Sequence, residues 1–388
     1  MKTLVQILQV VVAILFIISG LVKANDPLGL AYKMDEFFQL WSANLAAGHF
    51  FAKGLLIVFF SFLNEHNLFL SVAMITLEIF AGVALLAGWK KRFILYFLLA
   101  LILFFSFLTG YAYLSGKFSN CGCFGDCLPI STLTSFVKDL LLLAAITVLI
   151  VGRRYILVRF SNALRTAVVI GYSLLALSLQ LYVLSFLPIV DCLPLKTGNN
   201  ISEQIRPAAG AIPSVYETKL EYENISSHQV KEMSQDEFNR SKIWEDKAWK
   251  WKATNTRLIK QGTDIPKLQN FSLVSVSGID KTQAVLSDSN YILLYWLNPS
   301  EKTPIDKDVV ATAAAKGVQV YFITTTPSMY APSTSDNVLV CDGTVFRIGA
   351  RVNPTIYLLK KGTIIDKWPI GKKDSLIEAV QKLNMRNP

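Results

Sequence analysis

The sequence predicts an all-α membrane bundle of about five spans, followed by an extracytoplasmic α/β domain. Three observations carry that expectation. Mean hydropathy is +0.41, with 52% hydrophobic and only 17% charged residues, too apolar for an ordinary soluble protein and too mixed for a purely membranous one. The long apolar stretches all fall within the first 190 residues. From residue 271 onward, short apolar runs alternate with helical patterns, the order of an α/β fold.

Residues 4–22, 67–86, 93–113, 132–151 and 166–190 are the expected spans. Each reaches or approaches the roughly 20 residues a helix needs to cross about 30 Å of hydrocarbon. A shorter apolar run, 54–63, reads as an interfacial or re-entrant piece. Basic residues in short loops orient the bundle. Lys90, Lys91 and Arg92 lie between spans two and three, and Arg153, Arg154, Arg159 and Arg165 between spans four and five. Both loops are expected in the cytoplasm, which puts the N-terminus inside and everything after Val190 outside. A cleavable signal peptide ending near Val22-Lys23-Ala24 is the alternative for the first stretch, but the run is longer than the apolar core of such peptides. The net charge of +10 has no dense run outside the membrane, so attraction to lipid headgroups explains it better than nucleic-acid binding.

Residues 191–265 read as a polar linker with a small β region. It holds a strand at 215–222 and a Trp249-Lys250-Trp251-Lys252 alternation that suits a strand with one buried face. Residues 266–388 form the α/β domain. Strands are expected at 271–276, 291–297 and 318–324, with a further one near 338–345. Helices are expected at 306–315 and 374–383, and a hairpin over 355–368 turns at Lys360-Lys361-Gly362. This order, with Asn353-Pro354-Thr355 opening the hairpin, resembles a thioredoxin fold, which places a cis-proline there. The redox dithiol of that fold does not carry over. Its place reads Asn298-Pro299-Ser300-Glu301, without sulfur, so no thiolate is available for exchange. Cys341, the domain's lone thiol, reads as a small buried hydrophobe.

The membrane half carries several motifs in order: Phe16-Ile17-Ile18-Ser19-Gly20-Leu21-Val22-Lys23, then Asp26-Pro27-Leu28-Gly29 and Lys33. Glu78 follows with Gly82 and Leu85-Leu86-Ala87-Gly88, then Asn120-Cys121-Gly122-Cys123-Phe124-Gly125-Asp126 and Lys138-Asp139. Over residues 1–152 they resemble the DoxX/MauE-like bacterial membrane proteins, and the whole plan is similar to the longer Bacteroidota-type members with a thioredoxin-like tail. In those members an aromatic-arginine pair is expected after Asp191, where this chain has Cys192-Leu193. The resemblance implies a four-helix membrane domain at 1–152, a fifth helix with its cytoplasmic loop at 153–190, and extracytoplasmic thiol-redox work.

Cys121, Cys123, Cys127 and Cys192 are the candidate redox thiols, all expected at the outer membrane face, where disulfides persist. Four thiols allow three complete pairings, and the sequence does not choose among them. A helix starting at Pro129 or Thr132 would favour a thiolate at Cys127. A redox relay, a pair of structural staples and an all-thiolate metal site are the three readings. The last lacks the usual two Cys-x2-4-Cys pairs, since only Cys123 and Cys127 are so spaced, and the three histidines form no cluster, so no metal is assigned. Glu78, near the centre of span two, and Lys138 with Asp139, two turns into span four, form a candidate intramembrane polar site. Such charges face the bundle and find partners: Glu78 is expected to pair with Lys138 or to bind a substrate group or a proton, with a buried helix–helix tie as the alternative. Lys23 and Asp26 read as an interfacial anchor and a helix stop.

The leading functional expectation is a thiol-redox accessory role, at most one component of a thiol-disulfide oxidoreductase, with electrons passing to a quinone. Its partners are the bilayer and a periplasmic or membrane protein held by the soluble domain. The alternative is a non-enzymatic scaffold or assembly factor. A transporter has only Glu78 in its favour, without inverted repeats or broken helices.

Overall fold

The structure, a computed structural model, describes residues 1–48, 51–118, 122, 125, 127–128, 130–158, 160–207, 210–213, 215–227, 229–260, 262, 266–298, 305–326 and 336–383; side chains are described for these except 215–216, 235–236, 239 and 255–260. The N-terminal half is helical: α1 Lys2–Ala24, α2 Pro27–Ala47, α3 Lys53–Glu65, α4 Asn67–Ala87, α5 Lys91–Ser115, α6 Thr132–Val151 and α7 Asn162–Phe186. Among the described residues five of these, α1, α4, α5, α6 and α7, are long and apolar enough to cross a membrane. They coincide with the five expected spans to within a few residues. The fifth ends earlier than expected, at Phe186 rather than Val190. Leu187 precedes Pro188, which disfavours the helical conformation, and it sits at φ 80°.

The segment between the first two spans holds two helices. Asp26 accepts the Gly29 N–H and Pro27 occupies the first helical position, so α2 starts with both an N-cap and a preset φ. The short apolar run lies in the 13-residue α3, well below a span's length.

Close packing of α1 on α4 depends on two glycines. A Cβ on Gly20 would lie 2.4 Å from Ile79 Cγ1, and one on Gly82 would lie 2.9 Å from the Ala13 carbonyl oxygen. Small residues let helix backbones approach where lipid supplies no hydrophobic drive. At the other end Gln9, buried, donates to the Leu85 and Leu157 carbonyls at 2.9 and 3.0 Å and accepts from the Leu157 N–H at 2.8 Å. Arg165 donates to the Gly88 carbonyl at 2.9 Å. The basic turns therefore gather at one end of the bundle.

The C-terminal half is α/β with two sheets. Its elements are α8 Ile201–Gln204, β1 Val215–Asn224, β2 Val230–Ser234, α9 Gln235–Ser241, β3 Trp249–Lys260, β4 Val274–Ser275, α10 Thr282–Ser287, β5 Tyr291–Trp296, α11 Lys307–Ala315, β6 Gln319–Thr324, β7 Val338–Val340, α12 Gly343–Gly349, β8 Thr355–Lys360, β9 Thr363–Pro369 and α13 Lys373–Gln381. A three-stranded antiparallel sheet runs β2-β1-β3, and a six-stranded mixed sheet runs β4-β7-β6-β5-β8-β9. Strands β5, β6 and β7 are mutually parallel, while β8 and β9 return antiparallel. The Asn353–Pro354 peptide preceding β8 is cis.

Strand β5, Tyr-Ile-Leu-Leu-Tyr-Trp, is buried on both faces: Leu294 and Trp296 enter one core, Leu293 and Tyr295 the other. Leu195 and Ile201, expected in the linker, pack into the first of these cores. Two strand expectations shrink. Only Val274 and Ser275 of the 271–276 run pair with β7, because the Leu273 N–H donates to Thr282 Oγ1 instead. Trp251, expected on a buried face, is 55% exposed. The cover over that face, Phe238 and Ile243, reaches Trp249 and stops there.

Candidate functional site

Cys127 and Cys192 are joined by a disulfide spanning 65 residues, with Cα atoms 4.9 Å apart. Cys127 precedes α6, whose N-cap Ser131 accepts the Thr134 N–H. Cys192 follows the exit of α7. That exit is pinned independently, since Asn25 donates to the Val190 carbonyl at 2.7 Å and accepts the Val190 N–H at 2.9 Å. The bond thus ties the sulfur-rich loop and the last span to the α1–α2 corner. Both cysteines are half-buried. In this state Cys127 is not the thiolate expected from its place before a helix, because its sulfur is already bonded. Cys121 and Cys123 lie outside the described residues. Gly122, between them, packs on Lys33 of α2, and Gly125 on the Val22 carbonyl.

Cys341 is buried beside β7, and desolvation, reinforced by the Asp342 carboxylate, pushes its thiol up to about 12. It stays protonated at neutral pH, which suits the inert role expected of it.

A second constellation lies inside the bundle. Lys23 Nζ is 2.7 Å from Glu78 Oε2, both side chains almost fully buried, and it also donates to Ser19 Oγ at 3.2 Å. Its ammonium lies over the Phe105 ring at 4.9 Å. Lys138 Nζ lies 2.7 Å from Asp139 Oδ1, and Thr109 Oγ1 donates to Asp139 Oδ2 at 3.0 Å. All four charged side chains line one cavity of about 20 Å3, room for about one water.

This arrangement corrects two expectations. Glu78 pairs with Lys23, not Lys138, and Lys23 is a buried ligand of that carboxylate rather than an interfacial anchor. The cause is the glycine-mediated approach of α1 to α4, which sets Gly20 against Ile79. The two helices are staggered, with Gln9 level with Leu85 and Lys23 level with Glu78. Glu78 is mid-helix in α4 yet level with the last turn of α1. The quartet balances two positive charges against two negative ones, the condition under which charge is tolerated in an apolar interior.

The third feature had no motif. Arg347 Nη2 of α12 meets Asp35 Oδ2 of α2 at 2.7 Å, and Arg351 Nη2 meets Asp26 Oδ2 at 3.0 Å. Both guanidinium groups lie over the Tyr32 ring, at 5.0 and 5.3 Å. Lys367 of β9 pairs with Asp191. Asp26 is therefore more than a helix stop: it caps α2 and receives Arg351. The loop carrying Arg351 continues into Asn353, whose Oδ1 accepts the Asn298 N–H at 2.9 Å. Asn298, just after β5, thus lies beside the seam between the α/β unit and the bundle. Isolated arginines in an α/β sequence carry no signal of this role.

Among the described residues no cluster of three or more potential metal ligands is present, and the bonded sulfurs of Cys127 and Cys192 are not free to bind a metal. Comparison with protein families matches residues 59–152 to the model of methylamine utilisation protein MauE. No curated protein and no solved structure matches the chain. The matched stretch runs from α3 through α6 and holds Glu78, Thr109, Cys127, Lys138 and Asp139, whereas their partners Lys23 and Cys192 lie outside it. The chain is a multi-pass membrane protein that carries a MauE-family domain at residues 59–152, consistent with a DoxX/MauE-like membrane protein.

Proposed function

We propose that this protein is a thiol-redox accessory of the bacterial inner membrane, exchanging disulfides with a periplasmic or membrane protein during that partner's maturation. The observation that carries it is the half-buried Cys127–Cys192 disulfide at the end of the bundle that also bears the α/β unit. The basic turns at the opposite end support an inward-facing N-terminus and an outward-facing C-terminal domain.

In the exchange, a partner thiolate attacks one sulfur of the disulfide and releases the other as a thiolate. A second partner thiolate then resolves the mixed disulfide, leaving the partner oxidised and Cys127 and Cys192 reduced. Two electrons and two protons pass from these thiols to a membrane quinone, which leaves as quinol. Cys121 and Cys123, when joined as a disulfide, would take the partner's two electrons first and pass them by a second exchange to the Cys127–Cys192 disulfide, and the Glu78, Lys138 and Asp139 site would serve as a store of exchangeable protons. The parallel β5-β6-β7 core and the returning β8-β9 hairpin support a thioredoxin-like α/β unit, which without a dithiol holds the partner rather than reacting.

A second reading has its own observation. The Asn25–Val190 clamp and the Lys367–Asp191 ion pair already fix the chain beside Cys192, as a structural staple in a non-enzymatic scaffold requires. Thiol trapping in intact cells separates the two. A relay gives a reducible fraction of Cys127 and Cys192 that rises when the quinone pool is reduced, and a partner-linked mixed disulfide in Cys-to-Ser variants. A disulfide that never opens, with partner maturation unchanged in the variants, leaves the scaffold standing.

A further inference from the structure

Helices α2, α3, α4 and α5 border a partly open cavity of about 790 Å3, a size within the roughly 300–1,000 Å3 of small-ligand sites. Its walls are almost entirely apolar, and their centre is an aromatic cage. Trp41 has Phe37, Phe60, Tyr111 and Phe107 around it, with ring centroids at 5.6, 5.3, 5.7 and 6.1 Å. One rim is polar: Asn44 Nδ2 donates to Tyr111 Oη at 3.2 Å, and Lys117 Nζ donates to Asn44 Oδ1 at 3.4 Å.

Each part selects a ligand chemistry. Ring faces and edges favour a flat conjugated head. The amide, hydroxyl and ammonium groups at the rim offer donors to a neutral carbonyl oxygen. The apolar remainder, formed between helices of a membrane bundle, suits a branched hydrocarbon tail. A phospholipid fits less well, since its phosphate would meet one lysine and its acyl chain has no use for a ring cage.

The cavity also adjoins the sulfur loop. Phe118 stacks on Phe37 at 4.2 Å, three residues before Cys121 in the chain, and Gly122 packs on Lys33 of the same helix α2. Helix α5 separates cavity and charge quartet, presenting Phe107 and Tyr111 to the first and Phe105 and Thr109 to the second.

We propose that this cavity binds a membrane-soluble isoprenoid quinone, the oxidant that returns Cys127 and Cys192 to the disulfide. The assignment rests on the relay reading for its purpose, though not for its geometry. The step balances: two thiols form one S–S bond, and their two electrons and two protons convert quinone to quinol.

The test uses the full-length protein in lipid nanodiscs and a benzoquinone bearing two isoprene units as probe. Binding is read as tryptophan fluorescence quenching, with Trp41→Phe as the blank. The expected result is saturable quenching that Trp41→Phe largely lacks, and about tenfold weaker binding in Asn44→Leu, the loss of one hydrogen bond to the head. Lys117→Gln, at the exposed rim, repeats the measurement in case Asn44→Leu misfolds, and should weaken binding severalfold. Quenching that never saturates, or that oleate displaces as readily as a second quinone does, overturns the assignment. The Cys127→Ser/Cys192→Ser protein should bind the probe as tightly as the parent. If it does while thiol trapping shows an inert disulfide, the quinone site stands and the relay falls. If the relay operates and no quinone binds, the reverse holds.

Discussion

Lys23 and Glu78, 55 residues apart in sequence, meet at 2.7 Å inside the bundle, and their contact is the point at which α1 is tied electrostatically to α4. Both side chains are almost fully buried. Glu78→Ala leaves the Lys23 ammonium buried and should cost about 3–5 kcal/mol, whereas Lys23→Met with Glu78→Leu should recover most of that loss. Thermal unfolding of the purified variants in detergent checks this. A double variant no more stable than Glu78→Ala alone would contradict it.

The same helix pair offers a steric test. Gly82→Val drives a branched side chain toward the Ala13 carbonyl and Ile17, so α1 must move off α4. The expected loss is about 1–3 kcal/mol. Gly171→Val is the control, because a Cβ there meets nothing within 4 Å and its melting temperature should move by far less.

Arg351 and Arg347 should differ in weight. Arg351 is 4% exposed and Arg347 41% in their ion pairs with Asp26 and Asp35. Arg351→Met should loosen the α/β unit and expose the 187–193 crossing to protease severalfold faster. Arg347→Met leaves the buried Asp35 carboxylate with the Gln39 amide at 2.7 Å, and should raise cleavage less than Arg351→Met. Equal cleavage in both would mean that Tyr32 stacking, common to the two arginines, holds the seam.

Acid should weaken the α/β unit through Asp306. The hydrogen bond from Lys373 holds the Asp306 carboxyl below its ordinary value, and its Oδ1 also accepts the Asp308 and Val309 N–H groups that open α11. A depressed carboxyl contributes stability above its unfolded-state pKa, and that contribution disappears as pH falls through the folded-state value. Asp306→Asn should therefore flatten the acid limb of unfolding monitored by tryptophan fluorescence below about pH 4, while leaving stability near neutrality only modestly lower. An unchanged acid limb would remove Asp306 as the cause.

Much of this organisation was written in local pattern. A span shows itself as a run of apolar residues, and four of the five ended within two residues of expectation. Strand β5 was legible because its six residues are apolar throughout, and α11 because Asp306 supplies a cap at its start. Helix α2 was missed although Asp26-Pro27 announced it, because Lys33, Asp35, Glu36, Gln39 and Asn44 interrupt its apolar run. Helix α12 was missed because seven residues are too few for a period to emerge.

By itself the sequence determined the number of spans, the distribution of basic turns, the α/β order of the tail, the lack of a dithiol after β5 and the presence of charge inside the membrane. Tertiary structure alone decided that Cys127 bonds Cys192, that Glu78 takes Lys23 while Asp139 takes Lys138, and that Arg351 reaches Asp26. Apolar periodicity and capping act within a few residues, so a sequence displays them. Pairing across 55 or 65 residues depends on how distant segments approach, and for Lys23 and Glu78 that approach was set by the missing side chains of Gly20 and Gly82.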